Sequence, residues 1–393
     1  LNLSFRRDAS SVFHVDNRWG NFWGAGVSWN ITNEDFFKDV SFIDHFRVKA
    51  SIGQLGNDIV FYPGGGRNYY PFRDQYQVVK NGDDVGIKLV FLGNKDLTWE
   101  KSSNMNVGFE SRFANNRVGL DFDYFTRKVS DLLYNRPLPM SSGAPSIPQN
   151  IGDMTNKGFE VTLNLTPVKT KDFVWDINLN GTHYSNQIDS LPQPFIDDGR
   201  FRLTTGRSRY DYHMKEFSHV DPETGDAHWF VGGLDAETGE INPDEERTTT
   251  ANYAEADEYY MDKSAIPDLY GGVSTSLTYK DFDLGIGFSY QYGGFGYDGV
   301  YYNLFDATQS GQNFVREVLD QTWTPENTTA ELPRVDAATG ENFYGSSMYL
   351  IDASYFALKN ISIGYTLNNK ALSKAGITSI RFYGIADNIY LKS

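Results

Sequence analysis

The chain has 393 residues, no cysteine and a formal net charge of −16. That acidity argues against nucleic-acid binding, which needs a basic face, and the missing thiols exclude a disulfide framework or a thiolate metal site. Aromatic residues reach 15%, yet no run of about 18 apolar residues exists to form a transmembrane helix. A membrane barrel is still open, because its strands need only about 9–11 alternating residues, which averaged hydropathy conceals.

The chain starts inside an alternation, with Leu1, Leu3 and Phe5 opposed to Asn2, Ser4 and Arg6. It lacks an initial Met and a signal peptide there, so we expect a piece of a longer protein. Residues 1–7 read as a strand, and 21–31 as a second with Trp23, Ala25, Val27, Trp29 and Ile31 on one side. The connector 32–44 has the apolar spacing of one or two helical turns. Residues 45–53 alternate again, Phe46, Val48, Ala50 and Ile52 against Arg47, Lys49, Ser51 and Gly53. After a long Gly-, Tyr- and Asn-rich loop (54–101), strands 104–113 and 117–127 meet across Ala114, Asn115 and Asn116.

A Pro- and Ser-rich loop (129–154) leads to the clearest hairpin. Phe159, Val161, Leu163 and Leu165 oppose Glu160, Thr162, Asn164 and Thr166. Past a polar link at 167–172, Phe173, Trp175, Ile177 and Leu179 oppose Val174, Asp176, Asn178 and Asn180. Period-2 alternation puts the two sets on opposite faces of a strand. Residues 187–267 read as irregular, and their second half is acidic: thirteen Asp and Glu against Arg247 alone between His219 and Asp262. Strands 269–279 and 282–292 follow, then a Tyr-rich loop (293–350). Strands 355–367 and 378–390 close the series across the connector 368–377.

The eleven strands are joined by connections that alternate longer and shorter without a break. Long loops therefore leave one end of the sheet and tight turns the other, the asymmetry of a bacterial outer-membrane barrel. Structureless loops of fifty to eighty residues also do not suit a compact soluble domain. Phe113, Tyr124, Phe173, Trp175, Tyr279, Phe282, Tyr290 and Tyr365 fall near strand ends, where interfacial aromatic belts belong. The fold class read from the pattern is all-β, a transmembrane antiparallel barrel. A large soluble β-domain is the alternative.

In such a barrel the lumen is polar, and Glu110, Asp121, Asp123, Glu160, Asp176, Asn178 and Asn180 are candidates to line it. The loop aromatics Tyr69, Tyr70, Phe72, Tyr210, Tyr212, Trp229, Phe295, Tyr297, Tyr301 and Tyr302 are candidates to stack on a ligand, seat a partner or pack the loops together. The six His show no metal-ligand spacing, the Gly-rich stretches 64–67 and 293–296 lack a strand-to-helix context, and no nucleophile elbow occurs. Neither a catalytic residue nor a resident metal is expected. The acidic stretch 235–246 has the clustered carboxylates that suit Ca²⁺, without an EF-hand's spacing.

Several segments resemble the SusC/RagA family of TonB-dependent outer-membrane transporters. They are KASIGQLGN (49–57), DLTWEKSSNMNVGFE (96–110), NIGDMTNKGFEVTLN (150–164), VDPETGDAHW (220–229), ASYFALKNISIGYTL (353–367) and RFYGIADNIYLKS (381–393). The resemblance implies about half of a plugged 22-stranded barrel, with the signal peptide, plug, first strands and last strand outside residues 1–393. It also implies import of an oligosaccharide or peptide across the outer membrane of a Gram-negative bacterium, not enzymatic activity. The implied partners are a SusD-like surface lipoprotein over the outer loops, the TonB complex, outer-membrane lipid and the glycan or peptide ligand. A siderophore or vitamin receptor and a soluble glycan-binding β-protein are the alternative functions.

Overall fold

A computed structural model describes residues 1–82, 84–235, 239–305, 313–335, 345–368 and 376–393. Eleven strands form one sheet in chain order: β1 (Asn2–Ala9), β2 (Trp19–Asn30), β3 (Ile43–Asn57), β4 (Glu100–Phe113), β5 (Val118–Ser130), β6 (Asp153–Lys169), β7 (Phe173–Ser190), β8 (Leu269–Tyr279), β9 (Phe282–Tyr292), β10 (Tyr355–Leu367) and β11 (Ile380–Lys392). Every neighbouring pair is antiparallel. All eleven expected strands are present, and several run further than alternation alone indicates. Tyr124, expected near a strand end, sits mid-strand because β5 continues to Ser130.

The register keeps the two faces separate across the sheet. Leu163 lies opposite Leu120 and Leu179, whereas Thr162 lies opposite Asp121 and Asn180. Where the sequence parity breaks, a bulge restores it. In β6, Leu165 faces Ile177 and Val168 faces Trp175, so Thr166 and Pro167 together oppose Asp176. The strand therefore runs through the expected link to Lys169, and the turn shrinks to 170–172. A bulge tolerates Pro167, which has no N–H for the ladder. In β10, Phe288 faces Leu358 and Gly287 faces Asn360, leaving Lys359 as the extra residue. Leu358 and Ile361, three apart, then share the apolar face.

That apolar face carries a file of rings across five strands. Phe46, Phe109, Phe122, Phe159 and His183 follow one another at centroid separations of 6.0, 5.8, 6.4 and 5.4 Å. A second row lies at the tight-turn end, where Phe173 meets Tyr279 at 6.4 Å and Phe282 meets Tyr365 at 4.5 Å. Tyr279 and Phe282 pair directly in the register, which makes the row continuous from β7 to β10.

The tight end holds the turns 114–117, 170–172 and 280–281. The expected helical turns of the first connector are two 3-10 turns, Ile31–Asn33 and Asp35–Phe37. Ala114, Asn115 and Asn116 take positive φ (55°, 59° and 60°), and Asp44 accepts the Asn116 N–H at 2.8 Å. The last connector lies largely outside the described residues.

At the other end the long connections are structured, contrary to the reading of 187–267 as irregular. They carry a four-stranded sheet (Phe195–Asp198, Phe201–Thr204, Asp211–Lys215, Glu258–Ser264) and a three-stranded one (Phe217–Val220, Ala227–Val231, Thr248–Thr250). Two hairpins add Gln75–Asn81 with Asp84–Phe91 and Leu133–Pro137 with Ser146–Asn150. Most of these segments, three to seven residues long, are too short to show a period, whereas the exposed hairpin of Gln75–Asn81 with Asp84–Phe91 alternates Val85, Ile87, Leu89 and Phe91 within the long loop.

An apolar face in contact with lipid sets a measurable asymmetry. Leu163→Arg should block assembly of the full-length barrel, since Arg near mid-bilayer on the lipid face costs about 2–4 kcal/mol. Thr162→Arg, one residue away on the polar face, should assemble normally. Heat-modifiable mobility of outer-membrane fractions distinguishes them, and equal behaviour of both variants would contradict the assignment of faces.

Candidate functional site

The polar face of β3 to β5 is an ion-pair ladder. Glu110 accepts from Arg47 at 2.6 Å and lies 3.4 Å from Lys49, which reaches Asp123 at 2.9 Å. Arg112 grips Asp121 with two nitrogens, at 2.6 and 3.1 Å. Three of the seven candidate wall residues thus meet three cations that the sequence reading did not select. Arg47 and Lys49 were visible as same-face neighbours, but which acids they meet depends on register. Further along, Asp176 accepts from Thr166 at 2.6 Å, Asn178 donates to Asn164 at 2.6 Å, and Asn180 accepts the Gly272 N–H at 3.1 Å. Glu160 is exposed, opposite Asp123 and Thr182. All seven share one face.

Above this wall the long loops merge into a cap. At the rim, Phe22 points to the polar side and joins Val12, Phe13, Val60, Leu97 and Trp99, with Leu133 packed against them. A Cβ at Gly56 would lie 2.1 Å from the Phe22 ring, so glycine is required there. The two longest loops bond to each other. Tyr212 donates to the Phe295 carbonyl at 3.1 Å, Tyr253 to that of Gly345 at 2.6 Å, and Trp323 to that of Pro222 at 3.0 Å.

The ten candidate aromatics divide by burial. Tyr212 and Trp229 are core residues, and Phe295 and Tyr297 pack against the cluster of Tyr212, Met214 and Leu350. Tyr301 stacks on Phe305 at 3.9 Å and Tyr302 meets Tyr349 at 5.1 Å. Phe72 lies against His14. Tyr69, Tyr70 and Tyr210 remain exposed. Packing the loops together is thus what most of these rings do here.

Asp197, His213 and Glu258 bring their ligand atoms within 4.8 Å of one another, the one such grouping among the described residues. Arg202 already fills it, donating Nε to Asp197 at 2.6 Å and lying 4.0 Å from Glu258. In the acidic stretch, Glu240 pairs with Arg207 at 2.8 Å, and residues 236–238 lie outside the described residues. His213 is buried with its ring beside Glu258, and its hydrogen bond holds the Glu258 carboxyl below the ordinary range. A depressed folded pKa contributes stability above the unfolded value of about 4.3 and loses it as pH falls through the folded value. Glu258→Gln should therefore make the cap more protease-sensitive at neutral pH, with the gap to wild type closing below about pH 4.3. Limited proteolysis with an acid-tolerant protease across that range checks this; a gap independent of pH would refute it.

Residues 1–389 match the family described as TonB dependent receptor-like, beta-barrel. The chain is 30% identical to TonB-dependent receptor P3 of Formosa agariphila over 99% of this chain and 39% of that protein. It is 27% identical to TonB-dependent receptor SusC of Bacteroides thetaiotaomicron over 100% of this chain and 39% of that protein. A solved structure of the RagAB peptide transporter superposes with a TM-score of 0.83 at 27% identity, covering 100% of this chain and 42% of that one. The chain thus spans about two-fifths of the length of the curated relatives it matches. With the apolar face, the ring rows and the sorted connections, these likenesses identify the chain as a member of the TonB-dependent receptor β-barrel family, of SusC/RagA type, a family of transporters and not of enzymes.

Proposed function

We propose that the chain forms part of the wall and most of an outer cap of an energised nutrient importer in a Gram-negative outer membrane. The whole transporter would be a 22-stranded barrel closed by a plug and opened by the TonB complex, because no ATP is present at that membrane. The observation that carries this is the polarity of the sheet. Among the described residues every tight turn of the eleven-stranded sheet lies at one end, and at the other five long connections interlock over the polar wall. In this reading Glu110, Asp121, Asp123, Glu160, Asp176, Asn178 and Asn180 face the lumen, a wet path for a polar solute.

The cargo is an oligosaccharide or a peptide. The peptide is supported by likeness to the RagAB peptide transporter, and the oligosaccharide is what the resemblance to the SusC/RagA family implies. A siderophore or vitamin receptor is the second class, and uptake separates them. Cells with and without the full-length gene should differ in uptake of labelled oligosaccharides or peptides, and deleting TonB should abolish the difference. A difference confined to iron chelates or cobalamin, or one that survives loss of TonB, would overturn the proposal.

The cap would seat a SusD-like surface lipoprotein. Asp244, Glu245 and Glu246 are exposed on it, and the surrounding segment is almost devoid of cations. Such a patch favours a partner with basic groups, since unpaired like charges across an interface repel. Reversing the three acids to Lys should reduce co-purification of the lipoprotein several-fold from a normally assembled barrel. Unchanged co-purification from such a barrel would remove this segment from the interface.

A further inference from the structure

One connection at the tight-turn end is far longer than the turns at 114–117, 170–172 and 280–281. Between β2 and β3 the chain uses residues 31–42 for two 3-10 turns. The Lys38 and Val40 N–H groups extend them by donating to the Asp35 and Phe37 carbonyls. The segment is tied to the sheet on both sides. Thr32 Oγ1 accepts the Phe46 N–H at 3.4 Å, and the Phe42 carbonyl accepts the Ala114 N–H at 3.4 Å. It therefore spans the ends of β3 and β4.

Its rings show on which side of the wall it lies. Phe37 stacks on Phe46, with 6.5 Å between centroids and 11° between planes, and Phe42 stacks on Phe113 at 6.4 Å and 13°. Phe36 meets Trp29 edge-on at 6.3 Å. All three partners belong to the apolar face. Trp29 lies opposite Val48, Phe46 begins the file of rings, and Phe113 lies opposite Val118, itself opposite Leu165. The connector thus folds over the outside of the wall and not across its polar side. Phe36 and Phe42 are still 67% and 66% exposed, so this packing covers only part of each ring. Clustered exposed rings mark a surface that meets something apolar.

We propose that this connector is a membrane foot, bedded in the lipid leaflet at the tight-turn end with Phe36, Phe42 and Trp29 against acyl chains, an inference that rests on the outer-membrane reading above. The occupant is lipid because the patch continues the face that the bilayer covers. Ring follows ring from Phe42 to Phe113, and from Phe37 through Phe46 to Phe109. The polar groups suit an interfacial segment. Trp29 Nε1 donates to Glu34 at 2.9 Å, which gives that ring an apolar body and a polar end. Asp35 and Lys38 pair at 2.5 Å with side chains 94% and 69% exposed, charges that water and headgroups accept and acyl chains do not. A girdle residue on a strand is held where the ladder puts it. The connector has no strand partner, so it widens this edge of the wall and fixes its depth in the leaflet.

Nitroxide labels on the full-length transporter, in vesicles of phosphatidylethanolamine and phosphatidylglycerol, test this. The chain has no cysteine of its own, and any other cysteine is replaced by serine. Phe36→Cys and Phe42→Cys carry the test labels. Leu163→Cys is the lipid reference, and Lys171→Cys, exposed in the turn 170–172, is the water reference. Collision with dissolved oxygen, which concentrates among acyl chains, is compared with collision with a water-soluble nickel chelate. The labels at 36 and 42 should favour oxygen several-fold more than the label at 171, as the label at 163 does. A water-like reading at either test position, with 163 in lipid, overturns the foot and leaves the membrane reading standing. Shielding of 36 and 42 from both agents, the sign of protein packed over them, overturns it as well. If 163 also reads as water, the membrane reading fails and the foot with it.

Discussion

A bilayer interior contains no water to satisfy a backbone N–H or carbonyl, so a spanning sheet must pair every strand and keep one face apolar. Most of this molecule follows from that constraint. The eleven strands run in chain order because antiparallel neighbours joined end to end need no crossover. The strict alternation of β6 and β7 is the same requirement read along the chain. Its exceptions are informative: at Thr166–Pro167 and at Lys359 the parity slips by one, and in each case a bulge absorbs the extra residue. Without it, Val168 or Leu358 would point into the polar side and every residue beyond would change face.

The polar face obeys a milder rule. Charges there meet water, yet Arg47, Lys49 and Arg112 are each placed against Glu110, Asp121 or Asp123. All six are partly exposed, so the pairs contribute little to stability. Their effect is to leave this stretch of wall close to neutral. A charge brought to this face meets alternating signs at short range rather than a field that attracts or repels.

The strands were legible because period 2 is a strong signal over eight or more residues, and the sorted connections gave the barrel reading before any coordinate. Strand ends were less legible. Asn57 and Ser190 extend β3 and β7 because cross-strand bonds continue past the alternation. The loops were read as irregular since strands such as Phe217–Val220 have no room for a pattern. Their stability comes from contacts between distant segments, as where Trp229 packs against Tyr253 at 5.1 Å. For the same reason the aromatic loop residues could be named but not sorted. Tyr69 and Trp229 look alike in sequence, one exposed and the other buried.

Charge links the wall to the cap. The net charge is −16, and the wall between β3 and β5 is balanced by its own pairs. Much of the excess therefore lies outside, above all in the segment from His219 to Asp262 with thirteen acids and the single Arg247. Some of these acids are neutralised locally, Glu240 by Arg207 and Asp226 by Arg334. Others, such as Asp244, Glu245 and Glu246, stand exposed. At physiological salt their field fades within about 8 Å, so it acts only on what touches the cap. The cap thus presents exposed negative charge to whatever touches it, whereas the wall of β3 to β5 carries both signs in balance.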